Sequence, residues 1–539
     1  MKMKKFDIVV RNGRIIDGAG SPWFKGDICI KGERISVVGG PGRFEADREI
    51  DAKGRIVCPG FIDVHTHSDT SFLVNPKADS KILQGVTTEI VGNCGSSAAP
   101  ITEFGKSFFS KRYEDMGVDW DWTTVAEYLQ RLETKGLPLN VGTLMGHGTI
   151  RASVMGFEAR EPTHQELESM GSLVESGMRD GAFGLSTGLK YAPGCYAKRD
   201  EIVELCKVVH RYGGIYSTHI RNQGDFLIES IDEAIEIGRR SGVPVQISHL
   251  KVKGRNNWGK AGNMLRIIDE ARGSGVDVTF DQYPYRAGST GAFAITPSWA
   301  REGGAERFLE RLKDPGQRKR IEAGITEQED WTGSEKIVIA EFDPDSSYEG
   351  RSLYEIGGLL NKAPESVMCD LLLEADGRVP VIIFFGWEED VRDIMTHHAM
   401  MVGSDGSSLA PYGVLGRGKP HPRSYGCFPR FLGRYVLHER LLSAEDGIRR
   451  MTSFPAQRYG LTDRGILAAD MFADIVILDP ERVMDVATYE DPHRYSKGVE
   501  YVLVNGTIAV EDGKFTGQLA GKALRPSIHD DETHLARPS

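Results

Sequence analysis

Eight short apolar runs, each followed by a stretch of helical periodicity, limit the fold of this chain more than any other feature. They are "RIVCPGFIDVHTH", "TTEIVGNCG", "LNVGTLMGHG", "AFGLSTGL", "GGIYSTHI", "VPVQISHL", "VDVTFDQYPY" and "HAMMVGSDG". Between the fifth and sixth, "DFLIESIDEAIEIGRRSG" sets Ile228, Ile231, Ala234, Ile235 and Gly238 on one helix face at three- and four-residue spacing. Strand–helix alternation repeated eight times predicts an α/β chain folded as a TIM-like (β/α)8 barrel. The interval between the seventh and eighth runs, about residues 286–398, is too long for one crossover helix. Its charged helical part, "ERFLERLKDPGQRKRIEAG", and the following "KIVIAEFD" read as a subdomain inserted over the barrel mouth.

The two ends of the chain resemble each other. "FDIVVRNGRIIDG" and "DICIKGERISVVGG" near the start, and "ADIVILDPERV" and "VEYVLVNGTIAVEDGKFTG" near the end, alternate apolar and polar residues around Asn-Gly and Gly-Glu turns. One small β-sandwich built from both termini is expected. The expected division is residues 1–60 and 461–525 for the sandwich, 61–460 for the barrel, and a tail from 526 to 539. A net charge of −11 and the absence of a lysine- or arginine-rich block argue against a nucleic-acid partner. No run approaches ~20 apolar residues, and the basic start lacks an apolar signal segment, so a cytoplasmic protein is expected. The seven cysteines, Cys58, Cys94, Cys195, Cys206, Cys369 and Cys427 among them, lie singly. In a reducing compartment a special cysteine is a metal ligand or nucleophile before it is half of a disulfide.

Parallel barrel strands all end at one face, where active sites form. The first run ends on His65 and His67, which share a face because residues two apart in a strand do. The second ends on Cys94, the fifth on His219, the sixth on His249 and the eighth on Asp405. Six potential ligands from five strands thus converge on one bowl. Imidazole nitrogen and thiolate sulfur suit Zn²⁺, and the carboxylate adds a hard oxygen.

"PGFIDVHTHSD", "THIRNQGD", "ISHLK" and "GSDG" resemble the amidohydrolase superfamily of metal-dependent hydrolases. "GNCG" on the second strand, "GLKYAPG" on the fourth, "HPR" at His421 to Arg423 and the closing "ATYEDPHRYSKGVEYVLVNG" narrow the resemblance to the N-acyl-D-amino-acid deacylases, the D-aminoacylase branch. It spans about residues 5–525. The resemblance implies that Cys94, His219 and His249 hold a tightly bound zinc. His65 and His67, sharing the Cys94 thiolate, would form a second, weaker position. Many amidohydrolases bridge two metals with a carboxylated lysine on the fourth strand; here Lys190 falls late, and Cys94 takes that place.

The implied activity is hydrolysis of the linear amide of an N-acyl-D-amino acid, giving a D-amino acid and a carboxylate. Metal lowers the pKa of its water to about 7 and polarises the carbonyl. Asp405 takes the proton of the attacking water and returns it to the leaving nitrogen. The small-molecule substrate carries a carboxylate, and the resemblance points to Lys251, Tyr191 and Tyr283 for it. Arg221 with Asn222, and Arg378 in the insert, are further candidates. His147, closing the third run, either orients substrate or holds a loop. The rival readings are a cyclic-amide hydrolase of the hydantoinase or dihydroorotase kind, kept open by Lys190, and a non-catalytic scaffold on the same fold. The preference for the D enantiomer comes from the resemblance alone, and oligomeric state is not legible.

Overall fold

A computed structural model describes residues 5–331 and 333–526; the tail beyond lies outside the described residues. Eight parallel strands alternate with helices in a barrel. In order they are Phe61–Asp63, Val86–Val91, Asn140–Thr143 resumed at Met145–Gly146, Gly184–Gly188, Ile215–His219, Val245–Ile247, Val278–Gln282 and Met400–Val402. Neighbours pair in parallel around the ring. The eighth strand returns to the first through a parallel bridge between Thr66 and Gly406, with the Asp405 N–H donating to the His65 carbonyl at 2.8 Å. The strands are buried on both faces, as a parallel sheet wrapped in helices requires.

The helices form where the sequence places start signals and apolar stripes. Thr124 with Glu127, and Thr163 with Glu166, close capping boxes at the heads of Val125–Lys135 and His164–Arg179. Helix Leu227–Ser241 turns Ile231, Ala234, Ile235 and Gly238 to the core and ends at Gly242, whose left-handed conformation bonds back to Gly238.

The first apolar run is split between two sheets. Ile56–Pro59 pairs antiparallel with Ile475–Leu478, and Phe61–Asp63 enters the barrel. Gly60 is the junction, where a Cβ would lie 2.1 Å from Thr87 Oγ1, so no larger residue fits without displacing the second strand. Strands from both ends join one nine-stranded sheet, which includes Lys5–Ile15, Phe24–Lys31 and Val499–Val504. It curls around a core of Ile8, Ile28, Ile30, Val57, Ile475 and Leu503. The seventh cysteine, Cys29, is buried in this sheet, and every cysteine is free.

Between the seventh and eighth strands, Ala287–Gly291, Pro380–Phe384 and Ile337–Ile339 form a separate antiparallel sheet. Helices Gly304–Lys313, Pro315–Ile325, Leu353–Leu360 and Pro364–Glu374 pack on it around Phe308, Ile321, Ile337, Leu353 and Leu372. The charged stretch that reads as one helical segment breaks at Asp314-Pro315: proline opens the second helix, and Asp314 caps it by accepting the Gln317 N–H. Helix Glu388–Thr396 then returns to the barrel wall. Among the described residues no helix is long and apolar enough to cross a membrane.

Candidate active site

The candidate ligands sit at or just past the strand ends, and three of them adopt left-handed backbone conformations that bulky residues avoid. Cys94 has φ 52°, His249 φ 38° and Asp405 φ 51°. Such strain persists where the surroundings fix it and clusters at functional sites. Here it turns each side chain out of its strand direction and into the bowl.

Ligand atoms of His65, Cys94, His249 and Asp405 all lie within 4.8 Å of one another. Cys94 Sγ stands 3.3 Å from His65 Nε2, 3.5 Å from His249 Nε2 and 3.7 Å from His219 Nδ1. His67 Nε2 lies 3.0 Å from Asp405 Oδ1. The structure therefore gathers all six expected ligands into one contact network, with His67 and His219 at its edges.

Charges in the bowl are set by these neighbours. Burial opposes the Cys94 thiolate, but His65 overcomes it and brings the thiol below its usual range. Burial likewise opposes the Asp405 carboxylate; Arg423, then His249 and His65, hold it well below the usual carboxylate range. Burial, assisted by nearby lysines, keeps His219 and His249 well below the ordinary imidazole range and hence neutral. Against their burial, Asp281 and Cys94 push His65 well above the ordinary imidazole range, and Asp405 and Cys94 push His67 up to about 9, so these two give up a proton when their nitrogens bind a divalent cation. His219 turns Nδ1 towards the Cys94 sulfur. Thiolate sulfur, imidazole nitrogen and carboxylate oxygen converging from buried side chains fit a transition-metal ion.

Support for the ligands comes from residues that sequence reading missed. Asp281, on the seventh strand, places Oδ1 2.9 Å from His65 Nδ1, accepts the His249 N–H at 2.8 Å and is held by Gln246 Nε2 at 2.8 Å. A carboxylate behind a ligating histidine fixes its tautomer and direction. Asp281 stands two residues before Tyr283 in "FDQYPY", so its placement at a strand end was the available signal. Arg423, noted only as part of "HPR", puts Nη1 2.8 Å from Asp405 Oδ2. His421 of the same motif holds the insert instead, with Nε2 3.0 Å from the Ala287 carbonyl.

The expected substrate residues divide. Lys251 Nζ donates to Tyr283 OH at 2.7 Å beside the bowl. Burial pushes Lys251 well below the usual ammonium range, with Asp405 opposing and Lys253 adding to the drop. The Tyr191 ring meets His219 edge-on at 4.8 Å. Tyr191 lines a cavity of about 370 Å³ with His67, Cys94, Ser289, Asp405 and Arg423. Ser289 reaches it from the insert and carries no periodic or motif signal.

Two assignments need correction. Arg221 points away, fastened to Glu233 at 2.9 Å and to the carbonyls of Cys195 and Ala197. Its pairing partner lies 12 residues further along the chain, on helix Leu227–Ser241, invisible to strand-end reasoning. His147 is not the end of the third strand: that strand stops at Gly146, and His147 opens a helix and ties it to helix Arg199–Arg211, with Nε2 2.8 Å from Glu201. Arg378 is ion-paired with Asp115 and borders a second cavity, about 540 Å³, that reaches His67 and Ser407. Lys190 is also elsewhere, bound to Glu329 at 2.9 Å and to Asp330, so it bridges no ligands.

The sequence profile of the amidohydrolase family matches residues 48–308 and 389–510. The chain is 36% identical to both the N-acyl-D-glutamate deacylase and the D-aminoacylase of Alcaligenes xylosoxydans xylosoxydans. These alignments cover 93% of the chain and 93% of the first enzyme, and 96% of the chain and 97% of the second. The crystal structure of N-acyl-D-glutamate deacylase from Bordetella bronchiseptica, complexed with zinc and a phosphonate mimic of the tetrahedral intermediate, superposes with a TM-score of 0.82 and 32% identity. That match covers 97% of this chain and all of the other. L-Hydantoinase from Arthrobacter aurescens, at 17% identity and a TM-score of 0.55 over 96% of this chain and all of its own, shares the fold alone. With its barrel, its cysteine-containing ligand set and these relatives, the chain belongs to the amidohydrolase family and, within it, to the N-acyl-D-amino-acid deacylases.

Proposed function

We propose that this protein hydrolyses the linear amide of N-acyl-D-amino acids, releasing a D-amino acid and a carboxylate, with His65, His67, Cys94, His219, His249 and Asp405 as its metal ligands. The observation that carries the reading is the buried contact network centred on Cys94 Sγ. Zinc is the ion that a thiolate with several imidazoles favours. Cys94, His219 and His249 form its tight site, and His65 and His67 with the shared thiolate a weaker one. Bound there, the metal supplies Lewis-acid polarisation and a water acidic enough to react at neutral pH.

Every other part of the reaction falls to side chains. Asp405, ionised and 3.0 Å from His67 and 2.8 Å from Arg423, is the general base for the attacking water. It then protonates the amide nitrogen, so that the amine leaves neutral rather than as an anion. Lys251 and Tyr283, already joined by a hydrogen bond, receive the substrate carboxylate. Tyr191 walls the bowl on the His219 side. The two cavities that meet at His67 give the acyl group and the amino-acid side chain separate directions, with Arg378 on the rim of the larger.

The preference for D substrates rests on the relatives. The cyclic-amide reading loses its support because Lys190 is committed to Glu329 and Asp330. Assays of N-acetyl-D-amino acids, their L enantiomers and hydantoin, with and without a chelator, test the proposal. Chelator-sensitive release of D-amino acid is expected. Turnover of hydantoin in preference, or activity untouched by metal removal, would overturn it.

A further inference from the structure

His249 presents Nε2 to the centre, 3.5 Å from Cys94 Sγ and 4.0 Å from Asp405 Oδ2. For that nitrogen to offer a lone pair to a cation, the ring proton must sit on Nδ1. The neighbour of Nδ1 is the side-chain amide of Gln223, 1% exposed, with Nε2 3.2 Å away. In that orientation an amide N–H faces the imidazole nitrogen that must itself carry hydrogen. The amide oxygen, Gln223 Oε1, meanwhile lies buried with no hydrogen-bond partner. A half-turn of the amide plane exchanges the two ends. Oε1 then accepts the Nδ1–H of His249, and the lone pair is left at Nε2.

The backbone of Gln223 is unusually well held. Its N–H donates to Glu329 Oε2 at 2.8 Å, the next N–H, of Gly224, donates to the same oxygen at 3.2 Å, and its carbonyl accepts the Lys253 N–H at 2.8 Å. Glu329 Oε1 receives Lys190 Nζ at 2.9 Å, and Asp330 beside it receives Lys253 Nζ at 2.9 Å. Glu329 and Asp330 belong to the insert, between helix Pro315–Ile325 and strand Ile337–Ile339.

We propose that Gln223 is a positioning residue that fixes the metal-binding tautomer of His249 through its amide oxygen, and that Glu329 of the insert holds Gln223 in place. The subdomain over the mouth is thereby coupled to the strength of the metal centre, although neither residue touches metal or substrate. The inference rests on the metal centre proposed above, and one titration separates the two: wild-type zinc binding tests the centre, and the variants test the positioning.

Zinc affinity is measured by competition with a chromophoric chelator on full-length protein. Q223L, which keeps the volume and removes the acceptor, is expected to lose about 10- to 100-fold. Q223E, whose carboxylate can only accept, is expected to stay within about threefold of wild type, a rescue that a purely structural role does not give. E329Q is expected to fall between them. Should Q223L not fold, Q223N, which withdraws the amide by one methylene, is expected to show the same loss as Q223L. Wild-type zinc affinity in Q223L or Q223N, or a Q223E variant as weak as they are, would overturn the proposal. A wild-type protein that fails to bind zinc would instead overturn the centre itself.

Discussion

In the proposed reaction Asp405 has two demands on it, since it must be ionised to take a proton and must then give that proton back. Arg423 at 2.8 Å and His67 at 3.0 Å secure the first, and the leaving nitrogen draws out the proton in the second. Asp405→Asn removes both, and kcat is expected to fall by about 10²–10⁴-fold. Lys251→Ala acts differently, because it withdraws the charge-assisted hydrogen bond, worth about 1.5–3 kcal/mol, that the proposed binding mode gives the substrate carboxylate before and during reaction. Its KM is expected to rise about 10- to 100-fold with kcat changed far less; steady-state kinetics on one N-acyl-D-amino acid separates the two. The ligands were legible because each closes a strand, and parallel strands converge whatever their distance in sequence. The residues behind them were not. His65 and Asp281 lie 216 positions apart, and nothing in either local pattern names the other. Arg221 misled because its neighbour is a ligand, whereas its own side chain turns to Glu233.

At the scale of elements, the insert is more than a cover. Its first strand brings Ser289 to the cavity, and its 329–330 loop grips Lys190 and Lys253. Burial works against the Glu329 carboxylate, yet Lys190 and Lys253 outweigh it and hold the group at about 2 against an ordinary 4.5. A carboxyl depressed on folding contributes stability that is complete above its unfolded value and is lost as pH falls from about 4.5 towards 2. A depression of that size corresponds to about 3 kcal/mol. Glu329→Gln is expected to be less stable than wild type at pH 6, with most of the gap gone by pH 2.5. Denaturant unfolding at both pH values, with chelator in each so that metal release does not enter, measures this; a gap that does not change with pH contradicts it. The helices of the insert were legible from periodicity and from Asp314-Pro315. The gripping loop was not, because its carboxylates follow no period and answer lysines on distant strands.

Across the whole molecule, the order sheet, barrel, insert, barrel, sheet follows from where apolar alternation has period two and where strands alternate with helices. The ends meet because Ile56–Pro59 and Ile475–Leu478 pair directly. A buried bridge backs that junction: Asp474 holds Arg464, accepts from Asn140 Nδ2 at 3.2 Å and from the Asn505 N–H at 2.7 Å. The terminal strands were readable as β structure from sequence, but their merger into one sheet depends on the split at Gly60, which an unbroken apolar run conceals. All of this scaffolding brings ligand atoms of His65, Cys94, His249 and Asp405 within 4.8 Å of one another, with His67 and His219 at the edges, and the proposed centre requires one ion among them. X-ray diffraction at the zinc absorption edge, on crystals grown with zinc, tests that placement most directly. An anomalous peak is expected about 2.3 Å from Cys94 Sγ and about 2.0–2.1 Å from ring nitrogens of His219 and His249. No peak within bonding reach of Cys94, or a zinc held only by residues outside this bowl, would contradict it.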